Sequence, residues 1–399
     1  MKHLIFSFSL GLLLCTNNSF AQAQVQTYWD AEQTKSREIY TYIIVEKDTI
    51  KNGLYQIYHE NGKLWQEGQF TNNQLTGKWV DNHPNGQLKQ DLFFVNNLLE
   101  GEIKSYYPSG ALNQIALYKN DYLHGNILIY NENGHLIENT MYAYGLPNGI
   151  SKGYYENGTI RSISTLKRGV ENGSCEKYFE NGNIQERGVK KNGLYTGEFR
   201  GFHKEHADTL QKICFYQNGK LHGNFTGFYP SGIVMNQYVF EKDTIRGPYL
   251  EYFNSDSSII FTQGNYIDGM KQGQWTTFYP TGNIYHEGLY KNDAYDSVWT
   301  VYYPNDTIKQ SGSYHNGKEN GIWYFFLADG TLSHTGEYVQ GQKNGAWLYY
   351  YASKNLKVKL NYIDGKREGI GTAYNEQGIE VEKALYKEDV KVRDLPIGN

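Results

Sequence analysis

An all-β fold of repeated hairpins is predicted by three observations. The first is a repeat: fourteen units open at Gly53, Gly77, Gly101, Gly125, Gly149, Gly173, Gly197, Gly223, Gly247, Gly273, Ser297, Gly321, Gly345 and Gly369. Eleven of the thirteen steps between them are 24 residues, and two (197 to 223 and 247 to 273) are 26. The second is composition, with 37 tyrosines among 399 residues; aromatic side chains favour pleated, half-buried strands. The third is punctuation, since turn-forming pairs occur twice in each unit. A period of this length means that one small unit is stacked many times. The expected architecture is therefore an elongated single-layer antiparallel β-meander of about fourteen stacked hairpins, not the several globular domains that length alone suggests.

The chain divides into four segments. Residues 1–21 read as a signal peptide: Lys2 supplies the positive start, Leu4 to Leu14 the apolar run, and Ala21-Gln22-Ala23 the small residues for cleavage after Ala21 or Ala23. The apolar run falls short of the ~20 residues a membrane span needs. Cys15 follows Leu14, which is not the small residue that precedes a lipidated cysteine, so it is read as part of the apolar run. Residues 22–52 form an N-terminal capping segment, a degenerate repeat in which Trp29 stands one period before Gly53 and Ile39 to Val45 is strand-like. The array covers 53–386, and 387–399 is a charged C-terminal tail that blunts the last edge.

Within a unit, positions are counted from the opening residue as zero. The first strand carries aromatic residues at position 2, as in Trp79, Tyr249, Trp275, Trp299, Trp323 and Trp347. Position 5 is aromatic in thirteen units, failing only at Asn82, and position 6 is often aromatic. Strand alternation places positions 2 and 6 on one face and position 5 on the other. A turn follows, with Asn-Gly at Asn61-Gly62, Asn85-Gly86 and Asn157-Gly158, the pair that suits a tight hairpin. The second strand places an aliphatic residue at position 11, often a small residue at 15, and an aromatic one at 17, all expected on one face. Another turn, such as Asn316-Gly317 or Asp364-Gly365, closes the unit.

Function is less legible than fold. Net charge is −4 with no basic block, which argues against nucleic acid and anionic membrane surfaces. No phosphate-cradling loop or Gly-x-Ser-x-Gly motif occurs, and neither Cys175 nor Cys214 is tied to a histidine by a motif. The two cysteines are read as unpaired. No enzyme and no cofactor is expected. The inserted loop His203-Lys204-Glu205-His206-Ala207-Asp208 offers His203, His206 and Asp208 as weak metal-ligand candidates, with a lengthened solvated turn as the alternative. The second candidate site is a ladder of Trp275, Trp299, Trp323 and Trp347, with Tyr249 before it. That ladder reads either as the core of a thin sheet or as a recognition stripe.

The string Asn316-Gly317-Lys318-Glu319-Asn320-Gly321-Ile322-Trp323-Tyr324-Phe325-Phe326 resembles a MORN repeat, and more closely the bacterial MORN variant found in tandem arrays described as antitoxin-like. Similar strings run from Asp364 to Tyr374 and from Asn52 to Tyr58. The resemblance implies single-layer antiparallel arrays with scaffolding, protein-binding or lipid-contacting roles and no catalytic residues. The Gly-x-Trp openings are also similar to cell-wall glycan-binding repeats, although the aromatic spacing differs. The expectation is an exported binding or scaffold protein with a protein partner, located in the periplasm, at the outer membrane or outside the cell. A glycan-binding module using the aromatic stripe, a lipid contact, and an antitoxin or immunity role are the alternatives.

Overall fold

The computed structural model describes residues 22–398, so the signal segment 1–21, its cleavage site and Cys15 lie outside the described residues. Among the described residues the regular structure is entirely β, in thirty-six strands. Two compact units divide the chain, residues 1–195 and 196–399. Within each, strands pair antiparallel with their sequence neighbours, as in Ala23–Tyr28 with Ser36–Val45 and Met270–Phe278 with Ile284–Lys291. The capping segment thus contributes its own strands, and Val390–Asp394 in the C-terminal segment pairs with Glu380–Lys387.

One hairpin shows how residue type sets the geometry. Met270–Phe278 and Ile284–Lys291 are joined by a loop in which Tyr279 N–H donates to Asn283 O (2.8 Å) and Gly282 N–H to Tyr279 O (2.9 Å). Only Gly282 is left-handed there, at φ 90°. This is a three-residue loop, a type I turn followed by a left-handed residue. Asn61-Gly62, Asn85-Gly86 and Asn157-Gly158 sit in the same loop with only their glycine left-handed, so they do not form the two-residue turn expected of them. That turn occurs at the other end of the unit. Asn292 and Asp293 both have positive φ, 50° and 64°, as a type I′ turn requires.

The opening residue has a backbone reason. The strand Ala294–Tyr302 pairs with the one before it at Leu289↔Asp296 and then at Gly288↔Trp299. Ser297 and Val298 between them have no partner on that strand, which is a bulge. All fourteen openers have positive φ, from 57° at Ser297 to 140° at Gly173. Glycine adopts this conformation without a Cβ penalty. Nine openers therefore lie inside their strand, and Gly101, Gly125, Gly223, Gly321 and Gly369 are the first residue of theirs, just after a separate two-residue strand.

A second bulge corrects the expected faces. In the hairpin above, Thr277 pairs with His286 and Phe278 with Ile284, leaving Tyr285, at position 12, unpaired. Alternation is broken between positions 11 and 13, so position 11 is not tied by simple parity to 15 and 17. The first strand ends at position 5, so position 6 belongs to the hairpin end and does not share a strand face with position 2.

Candidate binding faces

The tryptophans are core. Trp275, Trp299, Trp323 and Trp347 are 3%, 5%, 3% and 0% exposed. Each lies over a glycine of the preceding strand, Gly264, Gly288, Gly312 and Gly336 in turn, where a Cβ would fall inside the indole ring. Trp79 lies over Gly68 in the same way. The partnership is reciprocal in size: Leu360 extends over Gly371, and the smaller pairs Thr140↔Ser151 and Ser164↔Cys175 face each other at equivalent positions. The indole N–H groups of Trp79, Trp299, Trp323 and Trp347 donate to carbonyls ten residues upstream, at 2.9–3.2 Å. Trp275 Nε1 is buried without a partner.

Tyrosines pack edge-on between the indoles, with Tyr314 5.1 Å from Trp323 and Tyr338 5.0 Å from Trp347. Lys271 and Lys343 lie over Trp275 and Trp347 at 4.3 and 4.0 Å. Tyr249 joins the stack, 5.7 Å from Trp275, and burial holds its hydroxyl protonated well above the usual range. With their faces occupied by glycine backbone, rings and ammonium groups, these residues cannot also be the exposed recognition stripe.

The inserted loop is likewise absorbed by the repeat. His203 occupies position 6, and its Nε2 lies 3.0 Å from Phe228 O. His59 and His83 do the same toward Asn82 O and Tyr106 O. In other units a tyrosine makes this link: Tyr107, Tyr155, Tyr229, Tyr279, Tyr303 and Tyr351 donate to a carbonyl of the next unit at 2.7–3.0 Å. His206 and Asp208 are exposed. No group of three or more His, Cys, Asp or Glu that could hold a metal occurs among the described residues. Cys175 and Cys214 are free and buried, and burial pushes both thiols up.

Two surfaces escaped the sequence reading. In the first unit, Leu98, Tyr122, Leu146, Val170 and Leu194 recur at position 21, and all are exposed, Tyr122 by 59%. Phe93, Leu117, Met141 and Val189 recur at position 16 and are also exposed. Register puts both rows on one face. Position 21 pairs with 18, as in Val95↔Leu98 and Ala143↔Leu146, and 18 shares a face with 16. Position 15, which meets the next unit's position 2, faces the other way. The first unit thus buries one face and leaves apolar rows on the opposite one. The 24-residue recurrence of Leu98, Tyr122, Leu146, Val170 and Leu194 was the available signal, masked because only Tyr122 among them is aromatic.

The second surface is at the hairpin ends, where the position 6 ring meets the unpaired side chain at position 12, or at position 14 in the lengthened unit that opens at Gly247. His59 stacks on Trp65 at 5.4 Å, Phe253 meets Phe261 edge-on at 5.2 Å, and Tyr279 lies 5.1 Å from Tyr285. The bulge re-aims position 12 outward; Phe261 and Tyr285 are 38% and 40% exposed.

Comparison with known proteins agrees with this geometry. The family described as MORN repeat variant matches residues 51–72, 75–96, 99–120, 147–168, 171–189, 271–292, 295–316 and 343–364. The chain belongs to the MORN-repeat family. Several stretches between those matches carry the same hairpin, as Gly125–Tyr130 with Leu136–Ala143 and Gly321–Phe326 with Leu332–Val339 show. MORN repeats are in general protein- or membrane-binding modules. No curated protein matches this chain in sequence.

Among solved structures, the chain is similar to the TcdB2–TccC3–Cdc42 crystal structure, with 11% identity, 94% of this chain and 25% of that chain covered, and a TM-score of 0.16. For the Photorhabdus luminescens Tc holotoxin pore the values are 12%, 92%, 22% and 0.16. The chain therefore spans a quarter or less of those chains. No helix among the described residues is long and apolar enough to cross a membrane.

Proposed function

We propose that this MORN-repeat chain is an exported, non-catalytic binding protein that docks a protein partner on the apolar rows of its first unit. The observation that carries this is the pair of exposed rows at positions 16 and 21, on the face away from the buried one. Contiguous exposed apolar surface of this kind marks interaction sites in soluble proteins. Export rests on Lys2, the apolar run Leu4 to Leu14 and the small residues at Ala21 and Ala23. The absence of catalytic motifs in the sequence and the use of its histidines and tyrosines in the repeat's own packing support a binding role. The tryptophans serve as core, so this reading places no ligand on them.

The test combines affinity capture with surface charge. The purified chain captures a partner from envelope and secreted extracts, and Leu117→Glu with Leu146→Glu abolishes that capture while the unfolding free energy stays within about 0.5 kcal/mol of the parent. Capture that survives the double substitution refutes the face assignment. N-terminal sequencing of the expressed protein tests export: a new terminus after Ala21 or Ala23 is expected, and an intact Met1 contradicts it.

A further inference from the structure

We propose that the hairpin ends of the second unit bind an extended β-1,4-linked glycan through Phe253, Phe261, Tyr279, Tyr285 and Tyr303. Three consecutive hairpins present these rings, two in each of the first two and one in the third. The rings are held in place before any ligand arrives. Tyr279 and Tyr303 donate their hydroxyls to Tyr302 O and Phe326 O, at 2.9 and 3.0 Å. Phe261 and Tyr285 stand in bulges against Phe253 and Tyr279, at 5.2 and 5.1 Å. Such pre-set, partly exposed aromatic faces are platforms for the C–H faces of pyranose rings.

The spacing selects the ligand. Successive hairpin ends are two strands apart, which is about 9.6 Å. In an extended β-1,4-linked chain every second sugar presents the same face, at a repeat close to that distance. An α-1,4-linked chain coils and cannot keep the register. Three rows therefore match a hexasaccharide, one disaccharide per row. The hairpin ends also carry hydroxyl and amide groups of the kind sugars need, among them Asn254, which accepts from Ser231 of the preceding hairpin at 2.7 Å, and Asn305, 2.7 Å from Thr307 Oγ1. Lys309, 5.7 Å from the Tyr303 ring, is the single cation in the three loops 253–261, 279–285 and 303–309, so the row lacks the basic cluster an anionic chain would require. This site lies in the second unit and stands apart from the apolar rows of the first.

Calorimetric titration of the purified chain decides the matter. The probes are di-, tetra- and hexasaccharides of β-1,4-linked N-acetylglucosamine and of β-1,4-linked glucose, with maltohexaose as the α-linked control. At least one β-linked hexasaccharide binds, at least tenfold more tightly than its disaccharide, because rows act in series. Phe261→Ala with Tyr285→Ala weakens that binding at least tenfold without moving the unfolding midpoint. Tyr155→Ala, which removes the same hydroxyl-to-carbonyl link in the first unit, leaves binding unchanged. The proposal is overturned if neither β-linked hexasaccharide binds, if maltohexaose binds equally well, or if the double variant binds as the parent does.

Discussion

Ser297 holds a left-handed backbone at φ 57°, the conformation that its thirteen counterparts reach as glycine. A side chain in this region costs ~1 kcal/mol or more relative to glycine. Ser297→Gly is therefore expected to raise stability by about 1 kcal/mol in urea denaturation, and a lower midpoint would contradict the bulge account. Gly312 poses the opposite constraint, because the Trp323 ring occupies the space a Cβ would need. Gly312→Ala should cost ~1–3 kcal/mol through overpacking, with a change in tryptophan emission. Unchanged stability and emission would mean that the indole does not rest on the backbone. The sequence revealed both glycine rows by recurrence. It did not reveal why each is glycine, since a bulge and a ring contact leave the same mark on composition.

At the scale of the element, the hairpin was legible and its irregularities were not. Alternation predicts faces only where the ladder is regular, and bulges such as those at Ser297-Val298 and at Tyr285 interrupt it. Parity alone therefore places position 6 on a strand face, whereas its tyrosines and histidines bridge to the next unit. The final turn stitches units too: Asp293 Oδ1 accepts from Lys271 N–H at 2.7 Å, and Asn97 Oδ1 from Leu75 N–H at 2.7 Å. Where this turn carries glycine instead, as at Gly317, the backbone N–H still donates, to Tyr295 O at 2.8 Å.

Two half-buried histidines within hairpins give a pH dependence. Burial, and then Lys271, lowers the pKa of His286; burial, and then Lys343, lowers that of His334, which stacks 4.2 Å from Phe325. The unfolded chain binds these protons near the ordinary 6.5, more readily than the folded one. Stability from this source is complete above that pH and is lost as pH falls below it. The urea midpoint should drop between pH 7.5 and 5, and His286→Gln with His334→Gln should flatten the drop. A midpoint that rises on acidification would refute this assignment.

Across the molecule, the repeat count, the all-β class and the family were readable because a 24-residue lattice repeats its signal many times. The binding surfaces were harder to read, because burial depends on which face neighbouring units cover, and sequence spacing alone does not tell the covered face from the open one. Aromatic residues drew attention to the tryptophans, which the glycine rows then bury. In the first unit the open face is mainly aliphatic and lacks that aromatic mark. In the second unit the exposed rings sit at hairpin ends, where an unpaired residue turns outward.

The molecule is divided between a buried tryptophan ladder and an open apolar face. Hydroxyl-radical footprinting of the purified chain tests this division directly, residue by residue. The expected result is rapid oxidation of Phe93, Tyr122 and Met141, with Trp275, Trp299, Trp323 and Trp347 protected until the chain unfolds. Rapid oxidation of the four tryptophans in the folded chain, with protection of Tyr122 and Met141, would contradict it.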